Sequence, residues 1–416
     1  MDRGIVETDV LVVGAGPGGS ATAYHLARHG IDVTIVERAT FPREKVCGDG
    51  ITPRGVAAMH AMGIDTDDPR FERVIGLRVH ARDTTIDLPW PELTSFPPYA
   101  LVMTRHDFDQ LLVQRAVKAG ARLVEATEAV APVIEDGWVA GASVRPAGEK
   151  DAPPTRIRAR FVVAADGAAS RFAAPAGVRR VDSRPLGIAA RRYYRVAYHP
   201  GPWFESWLDL WDGDMLLPGY GWLFPLEGGR INLGGGLLNT FEHFKDISAQ
   251  QLFSAFARML PEAWGISEDT ADGRVLSGPL PMSLNRTPQA VPGLLLVGDA
   301  AGAVNPFNGE GIAYAMETGQ IAAGLLHEAL VKDRPGLAMM YPQVLRDTYG
   351  RYFFVGRQFA KMVGKPAVMG RATKHLLPNR RVMGFALRVM GNLSDGKEGD
   401  AQDRLFALLQ RLAVAS

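Results

Sequence analysis

The sequence predicts an α/β fold in which a parallel-sheet nucleotide-binding domain is interleaved with an α+β, antiparallel-sheet domain and followed by C-terminal helices. Three observations predict it. A βαβ unit opens the chain, two later buried strands end in Asp-Gly and Gly-Asp, and the stretches between alternate apolar and polar residues at period two. With 416 residues, 47% hydrophobic and 22% charged, the chain suffices for two joined domains and has an ordinary globular composition, which excludes disorder, collagen and coiled coil. Its 46 basic and 45 acidic residues leave a net charge of +1, so no nucleic-acid partner is expected.

Asp9 to Val13 reads as a buried strand, Gly14-Ala-Gly16-Pro17-Gly-Gly19 opens a helix from Ser20 to His29, and Ile31 to Val36 reads as the next strand. Gly14 permits the tight turn, Gly16 lets the backbone approach a pyrophosphate, and Gly19 allows close packing of helix on strand. Glu37 closes the unit at the end of the second strand, in register to accept hydrogen bonds from an adenosine ribose, with Arg38 beside it. A merely tight strand-to-helix turn would not require that acid.

Phe161 to Ala165 leads into Asp166-Gly167, and Gly293 to Val297 leads into Gly298-Asp299; both ends lie where parallel sheets bind ligands. After the second come Pro306, Gly309 and Gly311, then a helical pattern through Ile312, Met316, Gly319, Ala323 and Leu326. Asp299 can hold ribityl hydroxyls, and a helix N-terminus near Gly311 can face the isoalloxazine N1/O2 edge. That order predicts a flavin site, and hence FAD as the expected dinucleotide, in a Rossmann-like domain. Either strand end alone is an ordinary strand-to-loop transition; the combination with the opening unit is not.

These three segments resemble the FAD motifs of the flavoprotein monooxygenase superfamily with the p-hydroxybenzoate hydroxylase-like fold. Within it, Pro42 to Gly50, Tyr220-Gly-Trp222-Leu-Phe224-Pro225 and Asn305 to Gly311 are similar to the geranylgeranyl reductase family, a resemblance covering residues 9 to about 330. It implies saturation of carbon–carbon double bonds in a polyprenyl chain, the isoprenoid side chain of a menaquinone or a geranylgeranyl lipid, with reduced flavin as hydride donor. Tyr220 and Trp222 lie two apart on a predicted strand and face one side, where ring faces can stabilise positive charge developing on an alkene carbon; Pro225 is expected to end that strand. The competing reading is simple packing of aromatics in a sheet. An FAD-dependent monooxygenase acting on an aromatic or polyketide is the alternative activity.

Cys47, the single cysteine, excludes an intramolecular disulfide or thiolate zinc cluster. It is either a small buried hydrophobe or, with Gly48, part of the loop that the superfamily folds over the flavin. Arg105 precedes a helix capped by Asp107 or a neighbour, and the resemblance places it near FAD; the alternative is a solvated arginine. No histidine cluster suggests a metal.

The expected domains are residues 1–70, 105–180 and 276–330 for FAD, 71–104 and 181–275 for substrate, and 331–416 as C-terminal helices. Trp203, Glu205, Trp207, Asp209 and Trp211 share one face of a strand, to line a pocket or to pack between sheets. Gly234 to Gly236 reads as a loop. No second nicotinamide-binding unit is present, so NADPH or another reduced carrier must dock transiently. From Thr348 to Leu393 there is no Asp or Glu, and nine basic residues interleave with apolar ones. Such a stretch, 348–394, reads either as a contact with anionic membrane or as a helical cap with a solvated basic face. Without a signal peptide or spanning run, a cytoplasmic location is expected, either free or peripheral on the membrane face; a monomer is expected.

Overall fold

The computed structural model describes residues 6–81, 84–212, 215–242, 244–396 and 398–412. Five parallel strands run in the order Leu294–Leu296, Thr155–Ala164, Val6–Val13, Val33–Val36, Arg122–Val124. Val10, Leu11, Val12, Val33 and Ile35 are fully buried, as strands covered on both faces must be. Val6–Val13 has the next strand, Val33–Val36, on one side and the much later Thr155–Ala164 on the other, so the strand order reverses there and a crevice opens beyond the carboxyl ends of these strands. Residues 14, 165–167 and 297–299 lie there.

The helices are, in chain order, α1 (Pro17–Ala27), α2 (Pro53–Ala61), α3 (Arg105–Lys118), α4 (Ala249–Met259), α5 (Ile312–Val331), α6 (Tyr341–Leu345), α7 (Arg351–Val363), α8 (Pro366–His375), α9 (Arg380–Gly391) and α10 (Ala401–Leu412). α1 and α5 pack closely because Gly319 brings no side chain to the contact: a Cβ there would lie 2.6 Å from the Gly18 carbonyl oxygen. Among the described residues, no helix is long and apolar enough to cross a membrane.

The second sheet has seven strands, in the order Ala271–Pro281, Leu186–Arg195, Arg230–Leu238, Tyr220–Leu226, Trp203–Trp207, Gly76–Ala81, Thr84–Pro89. It is antiparallel except that Trp203–Trp207 runs parallel to Gly76–Ala81. The strand Ala271–Pro281 crosses residue 276, where the sequence suggests a change of domain. α4 packs on one face of this sheet through Leu252 and Phe256, and its Ser248 and Gln251 form a reciprocal N-terminal cap.

Two sequence expectations are corrected. Pro225 does not end its strand, which continues to Leu226 with Pro225 opposite Ile231. Gly234 to Gly236 are not a loop but the centre of the strand Arg230–Leu238; glycine is needed because a Cβ on Gly234 would lie 2.1 Å from Cζ2 of Trp222. The cap of α3, expected at Asp107 or a neighbour, is Thr104, whose hydroxyl accepts from the Asp107 amide.

A Cβ on Gly19 would lie 1.9 Å from the Gly14 carbonyl oxygen. Gly19→Ala is therefore expected to push α1 off the first strand and to lower stability by about 1–3 kcal/mol, measured by denaturant unfolding of the FAD-loaded protein.

Candidate functional site

The crevice opens into a cavity of about 1770 Å³ lined by both sheets and by α5, α7 and α9. At its nucleotide end Gly14 adopts φ +99°, and a Cβ there would lie 2.5 Å from the Ala165 carbonyl oxygen, so this turn admits only glycine. Gly16 has open space before it, the nearest atom to a built Cβ being Arg43 Nη2 at 3.8 Å. Glu37 Oε2 accepts from the Ala15 amide at 2.9 Å and Oε1 from the Ala39 amide at 3.1 Å, which fixes the carboxylate at the end of its strand. Gly14, Gly16, Pro17, Glu37 and Arg38 all line the cavity.

At the strand ends α1 and α5 begin on this cavity, and neither carries a side-chain cap: α1 starts after Gly16 and α5 after Gly311. By contrast α2, α3, α4 and α9 are capped by Thr52, Thr104, Ser248 and Asn379. The free N–H groups and positive ends of α1 and α5 are thus left to a ligand. Asp166 Oδ1 is buried without a hydrogen-bond partner. Burial pushes the carboxyls of Asp166 and Asp299 above their usual range; the Asp299 shift is opposed by the Lys45 and Arg105 charges. These are acceptors waiting for hydroxyls, and together with the open Gly16 and the uncapped helices they fit FAD. Gly167 and Gly298 leave room beside them, at φ +82° and +56°. Gly19 and Pro306 are not in the cavity wall; Gly19 packs beneath it, and Pro306 abuts α7 at Gly356.

The loop Pro42 to Gly50 is tied across the cavity by a carboxylate that the sequence reading did not single out. Asp49 is fully buried; its Oδ2 accepts from Tyr193 Oη at 2.7 Å and Asn232 Nδ2 at 2.8 Å, and its Oδ1 from the Arg105 amide at 3.2 Å. Burial raises its pKa, opposed by Arg191, Tyr193, Asn232 and Arg105. Asn232 also donates to the Cys47 carbonyl at 3.0 Å and accepts from Trp222 Nε1 at 3.0 Å. Arg191, 2% exposed, donates to Glu44 and to the Lys45 carbonyl, both at 3.1 Å. Arg105 is not solvated: it is buried in a two-point pair with Asp109 at 2.5 and 2.7 Å, and Arg43 reaches Asp109 at 3.0 Å. Cys47 lines the cavity beside Arg105, and burial raises its thiol pKa against the pull of that charge.

Tyr220, Trp222 and Phe224 do face one side, their ring centroids 5.9 and 6.4 Å apart in sequence order. All three line the cavity with Gly48 and Gly309. Burial pushes the Tyr220 hydroxyl up to about 12, and it donates to the Asn308 carbonyl at 3.2 Å. On the neighbouring strand the cavity face is Phe204 and Ser206, not the tryptophan face. Trp207 instead stacks on His80 at 4.3 Å, and buried Glu205 bonds His80 and Arg78. The same cavity is lined from the C-terminal helices by the apolar side chains of Phe359, Val363, Met369, Met383, Leu387 and Met390. Among the described residues, no group of histidines, cysteines and carboxylates could hold a metal.

Residues 7–198 match the family model described as FAD binding domain. The chain is 38% identical over 400 residues to menaquinone reductase of Mycobacterium tuberculosis, covering 96% of this chain and 94% of that one. It is 30% identical over 348 residues to digeranylgeranylglycerophospholipid reductase of Thermoplasma volcanium, covering 82% and 84%. A solved geranylgeranyl bacteriochlorophyll reductase-like protein from Thermoplasma acidophilum superposes with a TM-score of 0.72 at 25% identity, over 93% of this chain and all of that one.

Removing the Asn232 amide leaves one Asp49 contact, the Trp222 indole and the Cys47 carbonyl without their partner. Asn232→Ala is expected to cost about 1–3 kcal/mol in denaturant unfolding and to weaken FAD retention in equilibrium dialysis. Unchanged values in both would show that the loop is held by other means.

Proposed function

The chain belongs to the geranylgeranyl reductase family of FAD-dependent oxidoreductases, and from this premise we propose that it saturates a carbon–carbon double bond in the polyprenyl chain of a lipid, most specifically the isoprenoid side chain of a menaquinone. The observation that carries this reading is the continuity of the cavity. Its volume exceeds the roughly 300–1,000 Å³ of a site for one small molecule, and the same cavity is lined both by the residues suited to FAD and by apolar side chains of the C-terminal helices. A long, flexible hydrocarbon suits such a lining. The higher identity to a menaquinone reductase than to a digeranylgeranylglycerophospholipid reductase supports the menaquinone side chain.

Bound in its reduced form, FAD supplies the hydride. Gly14, Gly16, Pro17, Gly19, Glu37 and Arg38 shape the adenosine end, while Arg105, Asp166, Gly167, Gly298, Asp299, Gly309 and Gly311 shape the rest of its site. An isolated alkene has no carbonyl to take up negative charge, so hydride transfer is easiest as a proton arrives at the other carbon and positive charge builds. The faces of Tyr220 and Trp222 stabilise that charge, and the apolar wall keeps water from trapping it. Cys47 and Gly48 close the loop over this point. NADPH or another reduced carrier docks transiently to load the electrons.

The C-terminal helices supply the route for the lipid. Phe359, Val363, Met369 and Met383 turn inward to the cavity. On the outer surface Met362 is 54% and Leu376 49% exposed, among exposed Lys361, Lys365, Lys374, Arg380 and Arg381. Apolar residues that enter an interface, ringed by cations that meet anionic headgroups, favour membrane contact over a solvated cap.

Two measurements test this. Dithionite-reduced protein incubated without air with menaquinone and other prenyl lipids is expected to yield an FAD-dependent product heavier by about two mass units; a gain of about sixteen units only in air would establish a monooxygenase instead. Arg380→Glu with Arg381→Glu is expected to lower binding to vesicles containing anionic lipid about 30-fold or more, from roughly 1 kcal/mol for each of the two lost cations. Unchanged sedimentation with the vesicles would remove that contact.

A further inference from the structure

The loop Asn305 to Gly311 carries an acid with no role so far. Glu310 lines the cavity one residue before the N-terminus of α5, next to Gly309, where a built Cβ would lie 3.1 Å from the Tyr220 hydroxyl. One carboxyl oxygen, Oε1, accepts a hydrogen bond from Thr52 Oγ1. The other, Oε2, is buried and has no hydrogen-bond partner among the described residues. An ionised carboxylate so placed leaves charge on an unsolvated oxygen, whereas a neutral acid carries a hydroxyl there.

The charged groups around it do not cancel this. Arg54 from α2 is a cation that acts on Glu310, but its guanidinium is engaged by Glu317 of α5 at 2.7 and 2.9 Å. Glu317 itself repels a charge on Glu310, while Thr52 and Asn308 favour one. Tyr314 of α5 and Tyr352 of α7 are neutral phenols held well above their usual range by burial. Burial is the largest effect, and it pushes Glu310 up to about 7.

Saturating an alkene consumes a hydride and a proton, and the groups near the aromatic wall differ greatly as acids. The Tyr220 hydroxyl sits near 12, and the Cys47 thiol is raised above an already weak starting value. A carboxylic acid poised near neutrality is the stronger donor, and a sizeable fraction of it stays protonated near neutral pH. We propose that Glu310 is the acid that supplies the proton when the double bond is saturated. This rests on the functional reading above. One alkene carbon gains hydride from reduced flavin, the other gains the Glu310 proton, and the carboxylate that remains is reprotonated from water through the cavity before the next turnover.

In the oxidised holoenzyme, infrared titration is expected to find one protonated carboxyl that ionises near pH 7 and is missing in Glu310→Gln; a carboxyl already ionised at pH 5 would overturn the assignment. In single-turnover alkene reduction the wild-type rate should fall as pH rises through about 7, because the acid form is lost. Glu310→Gln should retain FAD and, at pH 6, its midpoint potential, since a neutral amide replaces a neutral acid. It should nevertheless reduce the lipid at least about 100-fold more slowly. Thr52→Val removes a hydrogen bond to the carboxylate form and should move the pH limb upward, a shift that a merely structural role would not produce. Failures separate cleanly: a wild type that leaves every prenyl lipid untouched overturns the functional reading and the acid with it. A wild type that reduces lipid while Glu310→Gln keeps pace overturns the acid alone.

Discussion

The structure depends on one buried carboxylate. Asp49 has no access to solvent, and each of its oxygens is held by a different part of the chain: Tyr193 and Asn232 from the second sheet, the Arg105 amide from the start of α3. Taking a carboxyl out of water is costly, and these bonds offset the cost only when all three elements are in place. The loop Pro42 to Gly50 is thereby stitched to both domains, with Arg191 holding Glu44 and Lys45 and Asn232 holding the Cys47 carbonyl. Interleaving in sequence becomes mechanical unity in space. The same asparagine orients Trp222, so the loop and the aromatic wall are set by one set of bonds.

Around that anchor the cavity is made by what side chains leave out. Gly14, Gly18 and Gly319 let backbone approach backbone, and Gly234 admits the Trp222 indole into a strand where any side chain would exclude it. α1 and α5 forgo side-chain caps that other helices carry, and so keep their N–H groups for a ligand. The result is one cavity that holds both a polar end suited to FAD and an apolar lining from C-terminal helices with a basic outer surface.

The sequence by itself determined the nucleotide-binding half, because that half is local. A strand, a glycine turn, a helix and a terminal acid lie within Asp9 to Glu37, and glycines that backbone geometry demands cannot be replaced without trace. Strand ends at Asp166 and Asp299 were legible for the same reason, and the pairing of Tyr220 with Trp222 followed from the period of a strand. Only the tertiary structure decided the rest. Asp49 and Glu310 stood inside motifs that the sequence reading quoted, yet what distinguishes them is burial and the partners they have or lack, contributed by residues 144 and 183 positions away for Asp49 and 258 away for Glu310. Glycines at 234–236 read as a loop because the ring that needs them lies on the neighbouring strand. Pairing, desolvation and cavity shape are properties of distant residues brought together, and no window of sequence contains them.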